Sequence, residues 1–364
     1  MAEKKKKPKD KAVEKLEPEP KNKPGTTLQS KPGMTLQKRN RNDRGHLIGF
    51  LVASALLMAV VIAIVVNFTT IKDFIVGMHY RPAPEMEQIR TSLNLTGTGQ
   101  RIFNASMPEL MERAEFNQNC REVENESAIL GCFRDDKIYV YNITDEELKG
   151  ILELTAAHEL LHAVYARMSD NKKSELVEPL TRVFEKNQEL LGGEIDSYET
   201  GQRQEELYVR AGTEIKDLPD ELEKHYAEIF GEQDKIVGFY ESYIGVFRGI
   251  EEKLEKLLAE TNALSAEITT KTAEYEARAE ALGAKISEFN ECAKTLDCFS
   301  STSVFNKERA TLMAEREALE ALYNEINAKI SQYNALVVEY NDNLLHGQFL
   351  NKTINSSEKV ESVD

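Results

Sequence analysis

Leu47 to Val66 reads LIGFLVASALLMAVVIAIVV, a single run of twenty uncharged, mostly apolar residues. A helix of that length spans about 30 Å, the thickness of a bilayer core. Buried helices of soluble proteins are rarely so uniformly apolar. The run is therefore expected to be a single transmembrane helix, over residues 47–68. Everything after it must fold on one side of a membrane.

Charge indicates which side. Residues 1–46 hold 14 Lys and Arg against 6 Asp and Glu, whereas the chain beyond the run holds 32 basic and 56 acidic residues. Basic residues collect on the cytoplasmic side of a span, so the N-terminus is expected in the cytoplasm and the C-terminal body outside it. A cleaved signal peptide has a shorter apolar region and a far shorter basic one. An uncleaved signal anchor in the cell membrane, crossing once, is the reading. Residues 1–46, rich in Lys, Pro and Glu, cannot bury a core and are expected to be disordered. The acidic body lacks the clustered Lys and Arg that phosphate binding needs, which excludes nucleic acid as its main partner.

All four cysteines follow the span, as two local pairs, Cys120 with Cys132 and Cys292 with Cys298. Disulfides persist outside the cytoplasm, and both spacings can be bridged. Neither pair is a CxxC zinc-ribbon half.

The body is expected to be mainly α with a small β contribution. Aromatics make up only 7% of the chain and Trp is absent, so the core must be largely aliphatic. Residues 69–238 read as one helical domain. In it, AILGCFRDDKIYVY (128–141) predicts a small β-hairpin turning at Asp135 and Asp136. Thr144 and Glu147 form a capping-box pattern, predicted to start a helix that runs to about Met168. Over 239–346 the pattern changes. Leu254, Leu257, Leu264 and Ile268, then Leu319, Leu322, Ile326 and Tyr333, recur in three- and four-residue steps with charged flanks. Such heptads predict an antiparallel coiled-coil hairpin, with Lys271 and Arg278 as imperfections in its seam. Residues 347–364 are expected to be a disordered tail.

Within the capped helix stands TAAHELLHA, an HExxH motif formed by His158, Glu159 and His162. Residues i and i+4 share one helix face, so both imidazoles can reach one zinc ion. Glu159 then sits beside the water that the metal activates and can act as its general base. Zinc needs a third protein ligand. The position six residues after His162 is Met168, which excludes the metzincin pattern, and no His lies between His162 and His225. A downstream carboxylate is expected, from Glu194, Glu199, Glu205, Glu206 or Glu214.

The motif HELLH, with the later segment ELYVRAGTEIKDLPDELEKHYAEIF, resembles the gluzincin class of zinc metallopeptidases in its membrane-anchored bacterial form, over about residues 80–235. The resemblance implies a zincin-like domain. It also implies a ligand Glu on a following helix, for which QEELYVRAGTEI is the match, with Glu206 first and Glu205 as runner-up. An oxyanion donor is implied too, carried over to His225 or Tyr226. Where the class often has an Asp orienting a zinc-bound His, this chain has Arg210, and Glu153, Thr155 or Asp196 would have to substitute.

The leading expectation is a membrane-tethered zinc metalloendopeptidase that cleaves extracytoplasmic polypeptides. The motif follows the span by about 90 residues, which argues against cleavage inside the membrane. The alternatives are a catalytically inactive surface protein acting through its coiled-coil hairpin, by binding a partner or by self-association, and a zinc hydrolase of non-peptide bonds.

Overall fold

The computed structural model describes residues 42–120, 130–195, 198, 200–295 and 298–356. The basic tail up to residue 41, Asp196, Glu199 and residues 357–364 lie outside them, as does the Glu194 side chain. In chain order the elements are helices α1 (Asn42–Val66), α2 (Phe68–His79), α3 (Pro84–Ser92) and α4 (Gly97–Ala105), strand β1 (Glu109–Met111), helix α5 (Arg113–Asn119), and strands β2 (Gly131–Arg134) and β3 (Lys137–Tyr141). Then come α6 (Ile151–Arg167), α7 (Asp170–Lys186), α8 (Gln188–Ile195), α9 (Thr200–Glu214), α10 (Asp220–Tyr226), α11 (Gln233–Thr295) and α12 (Thr302–Ile354). The chain is mainly helical, as its residue patterning predicts.

Ile48–Val66 of α1 is long and apolar enough to cross a membrane, and none of its residues is buried. The helix starts at Asn42, inside the stretch expected to be tail, and ends at Val66. Phe68, expected as the last turn of the span, instead opens α2.

From Ile64 onward the chain forms one unit. At its centre lies α6, on which Ala156, Ala157, Leu160, Leu161 and Ala163 are fully buried. Its apolar residues pack against α3, α4, α7, α9, α10 and β3. The capping box does not start this helix. Asp145, not Thr144, caps a short 3-10 turn (Glu146–Leu148) by accepting from the Glu147 amide at 2.9 Å, and α6 begins only after Gly150, at φ 92°. A short side chain one residue on reached the free amide first, which is how Asp competes for caps.

The hairpin forms where Asp135 and Asp136 predict it. Both adopt positive φ (51° and 62°), the backbone that two-residue hairpin turns require. β2 pairs antiparallel with β3, and β1, which carries no clear strand pattern in the sequence, adds to β3 in parallel. The order β1-β3-β2 leaves β2 on the edge. Cys120 and Cys132 are bonded and tie the end of α5 to β2; Cys292 is bonded to Cys298.

The two long helices pair along their length. Lys253 meets Glu339 (3.1 Å), Lys271 meets Glu325 (2.8 Å) and Lys285 meets Glu315 (2.7 Å), so α12 descends as α11 rises. Lys271, an imperfection in the apolar pattern, thus reaches across to an acidic partner. Such exposed pairs contribute little stability each; Leu257, Leu282, Leu322 and Ile326 supply the buried contacts. The rings of Phe289, Phe299 and Phe305 cluster near the Cys292–Cys298 disulfide.

Two expected boundaries are corrected. α11 starts at Gln233, before the expected boundary at 239, and packs on α6 and α9. α12 continues through the expected tail to Ile354, because Leu350 and Ile354 bury against Met111, Phe116 and Tyr141. Apolar residues four apart hold that last stretch helical against the body.

α2 is fastened by a buried charge. Asp73 accepts from Arg101 of α4 (3.1 Å) and from Arg167 at the end of α6 (3.1 Å), with only 2% of its side chain exposed. Removing one partner of a buried ion pair leaves the others uncompensated. Asp73→Ala is expected to destabilise the body by about 3 kcal/mol, read as a lowered Tm of the detergent-solubilised chain.

Candidate metal centre

Two helices build the site. α6 presents His158 and His162 one turn apart, and α9 packs across it. The crossing is close: a Cβ on Gly212 of α9 would come within 2.6 Å of both Leu161 Cδ1 and Tyr226 Cε1. Only a glycine lets α9 approach α6 there. That approach carries Glu206, buried on the facing side of α9, to the imidazole pair.

His158 Nε2 lies 3.3 Å from His162 Nε2, and the Glu206 carboxylate reaches them at 3.7 Å and 3.5 Å. One ligand atom from each of the three residues lies within 4.8 Å of the others. His158, His162 and Glu206 can therefore hold a metal ion. Two imidazole nitrogens and a carboxylate oxygen suit a borderline cation better than Ca2+ or Mg2+, which prefer all-oxygen shells.

Glu205, the runner-up ligand, has a different place. Its carboxylate accepts from His162 Nδ1 at 2.9 Å. Once a metal displaces the second ring proton, that contact keeps the remaining one on Nδ1 and leaves Nε2 to the cation. Glu205 so fills the orienting role expected of Glu153, Thr155 or Asp196. Thr155 instead donates to the Ile151 carbonyl in its own helix, and Glu153 lines neither cavity at the site. Glu214, another candidate ligand, pairs with buried Arg210 through two contacts of 2.8 Å and 2.9 Å.

Glu159 is buried beside the group. Strand β2 passes so close that a Cβ on Gly131 would lie 2.7 Å from the Glu159 carboxylate and 2.6 Å from Thr155. Two cavities flank the centre and share Gly131, His158, Glu159 and Glu206 in their walls. One, of about 220 Å3, is completed by Phe133, Tyr198, Gln202 and Glu205. The other, of about 230 Å3, is completed by Arg210, Tyr240, Tyr243 and Ile244. Together they make a cleft beneath the edge strand.

His225 and Tyr226 are a correction: neither lines this cleft. Tyr226 is fully buried and donates to the Tyr208 carbonyl at 2.6 Å, while His225 Nε2 meets the Tyr208 hydroxyl at 3.0 Å. Tyr208 stands two positions after Glu206, which puts it on the opposite face of α9. The pair therefore supports α9 from behind. The tyrosines that do line the cleft, among the described residues, are Tyr198, Tyr240 and Tyr243. The sequence does not mark them, because Tyr240 and Tyr243 open the long α11, whose periodicity hides a wall residue among packing residues. Gly131 carries no sequence signal beyond its place at a strand start.

No protein-family model, curated protein or solved structure matches this chain.

The charges are set for metal exchange. Burial pushes the His158 imidazole down to about 4. Burial acts the same way on His162, but hydrogen bonds to Glu205 and Glu206 outweigh it and lift this ring to about 10. Glu206 would rise by burial, yet the two rings and Arg210 hold it down at about 2. In the metal-free site the proton thus sits on His162 across the neutral range. A cation must displace it, so acid weakens metal binding. Metal affinity is expected to rise about tenfold per pH unit from about pH 5 to 9, with about one proton released, read by calorimetry in buffers of different ionisation enthalpy.

The contributions of these side chains to metal binding are separable by substitution. Glu206→Gln or His162→Ala is expected to abolish stoichiometric metal in the purified chain. Glu205→Ala is expected to keep one site but weaken it about 10–100-fold, as measured by chelator competition.

Proposed function

We propose that the chain is a membrane-tethered zinc metalloendopeptidase with a zincin-like body, whose substrates are extracytoplasmic polypeptides. The observation that carries this reading is the convergence of His158, His162 and Glu206 with Glu159 in one cleft. When bound, zinc supplies Lewis acidity that polarises a carbonyl and brings the pKa of a water toward about 7. The residues of the chain do the rest. His158, His162 and Glu206 hold the cation, and Glu205 keeps His162 aligned. Glu159 accepts the proton of the attacking water and passes it to the leaving amine. β2 is an edge strand of the sheet, and its Gly131 and Phe133 line the cleft; an extended peptide can add as a strand to such an edge. That feature favours peptide over non-peptide substrates. The phenols of Tyr198, Tyr240 and Tyr243 replace His225 and Tyr226 as candidates to stabilise the oxyanion.

Both disulfides support an oxidising location for the body, and the basic N-terminal stretch supports a cytoplasmic N-terminus. The paired α11 and α12 form, in this reading, an antiparallel coiled-coil arm. Apolar residues exposed along it, among them Leu258, Met313 and Val338, favour a second role in partner binding or self-association.

Glu159→Gln separates enzyme from adhesion protein. The variant is expected to fold and bind zinc as the parent does, yet to lose about 10²–10⁴-fold in cleavage of a quenched peptide library. Equal and chelator-insensitive cleavage by parent and variant, or none by either when zinc-loaded, would refute the enzyme reading.

A further inference from the structure

α2 has two faces. Asp73 and Gly77, one turn apart, point into the body. Asp73 is held by Arg101 and Arg167, and a Cβ on Gly77 would lie 3.2 Å from the Asn104 Cβ of α4. Phe68, Ile71, Phe74, Ile75 and Met78 fall on the other side, within one arc of about 120° at 100° per residue. Their exposures run from 39% to 62%. Five large apolar side chains on a three-turn helix form a continuous uncovered patch, which soluble surfaces avoid.

The chain itself indicates what covers it. Only Asn67 separates α2 from the end of α1, whose Ile48–Val66 segment is long and apolar enough to span a bilayer. A helix that begins one residue past such a segment begins at the lipid surface. Lys72 and Asp73 exclude α2 from the hydrocarbon core, where charges are costly. An apolar arc opposite a polar face is the pattern of a helix lying in the interfacial plane.

We propose that α2 is an interfacial membrane helix, with Phe68, Ile71, Phe74, Ile75 and Met78 inserted among lipid headgroups and upper acyl chains while Asp73 locks its other face to the body. The body is then attached to the bilayer by two elements, the span and α2. Through Arg167 the second attachment reaches the last turn of the HExxH helix.

The absence of Trp from the chain gives a direct test. Phe74→Trp introduces the only indole at an exposed position of α2, and Tyr323→Trp on α12 serves as the distant control. Each full-length variant is reconstituted in vesicles of 3:1 phosphatidylcholine and phosphatidylglycerol, with bromines at acyl positions 6,7 or 11,12. Flotation and resistance to alkaline extraction report the span separately; circular dichroism confirms the fold. The expected result for Phe74→Trp is at least a twofold loss of indole emission with the shallow bromolipid and a smaller loss with the deep one, with no loss for the control. Emission unchanged by either lipid, from a chain that floats, would overturn the inference and leave the span standing. Stronger quenching by the deep bromines would also overturn it, since α2 would then continue the span. Unquenched but blue-shifted emission that depends on protein density would overturn it in favour of a second copy of the chain.

Discussion

The packing of α9 across α6 is the contact on which the site depends. It brings a buried carboxylate within 4 Å of two imidazoles, an arrangement that would be costly without compensating charge. The compensation is mutual. Glu206 stays ionised because the His158 and His162 rings and Arg210 surround it, and His162 holds its proton because Glu205 and Glu206 accept from it. A metal ion would take over the proton's place in that balance. Gly212 matters to the site for this reason: a side chain there would push apart the two helices that bring the imidazoles and the carboxylate together.

The rest of the unit is arranged around α6. Its N-terminal half packs under the sheet, with the β2 edge lying over Glu159. Its C-terminal Arg167 is bound to Asp73 of α2, so the helix that carries His158 and His162 is also the helix to which the segment after α1 is fastened. The start of α11 closes the cleft with Tyr240 and Tyr243, and the end of α12 returns to bury Leu350 and Ile354 near the Cys120–Cys132 disulfide. The long helical pair is rooted at both ends in the body rather than appended to it.

Much of the site is legible in the amino-acid sequence. His158, Glu159 and His162 can be read there because an i,i+4 pair lies on one face of any helix, whatever surrounds it. Glu206 is reached through the resemblance, and the geometry separates it from Glu205 by helical phase: one residue turns a side chain about 100°, enough to aim one carboxylate at both imidazoles and its neighbour at the His162 Nδ1 alone. The resemblance misleads at His225 and Tyr226. Their distance along the chain suits an oxyanion donor, but α10 packs on the wrong side of α9. The capping box misplaces the start of α6 because Asp145 outcompetes Thr144 for the same amides.

The sequence alone determined what local periodicity and composition control: the apolar α1 segment, the turn at Asp135 and Asp136, the two cysteine pairs, the two long helices and the imidazole pair on α6. Each of these is specified by residues within a few turns of one another. Only tertiary structure decided the partners of α6, the parallel strand β1, the role of Glu205, the tyrosines of the cleft and the two-faced character of α2. These depend on contacts between segments tens to hundreds of residues apart, whose pairing is set by which surfaces can be buried together and leaves no fixed spacing in the chain.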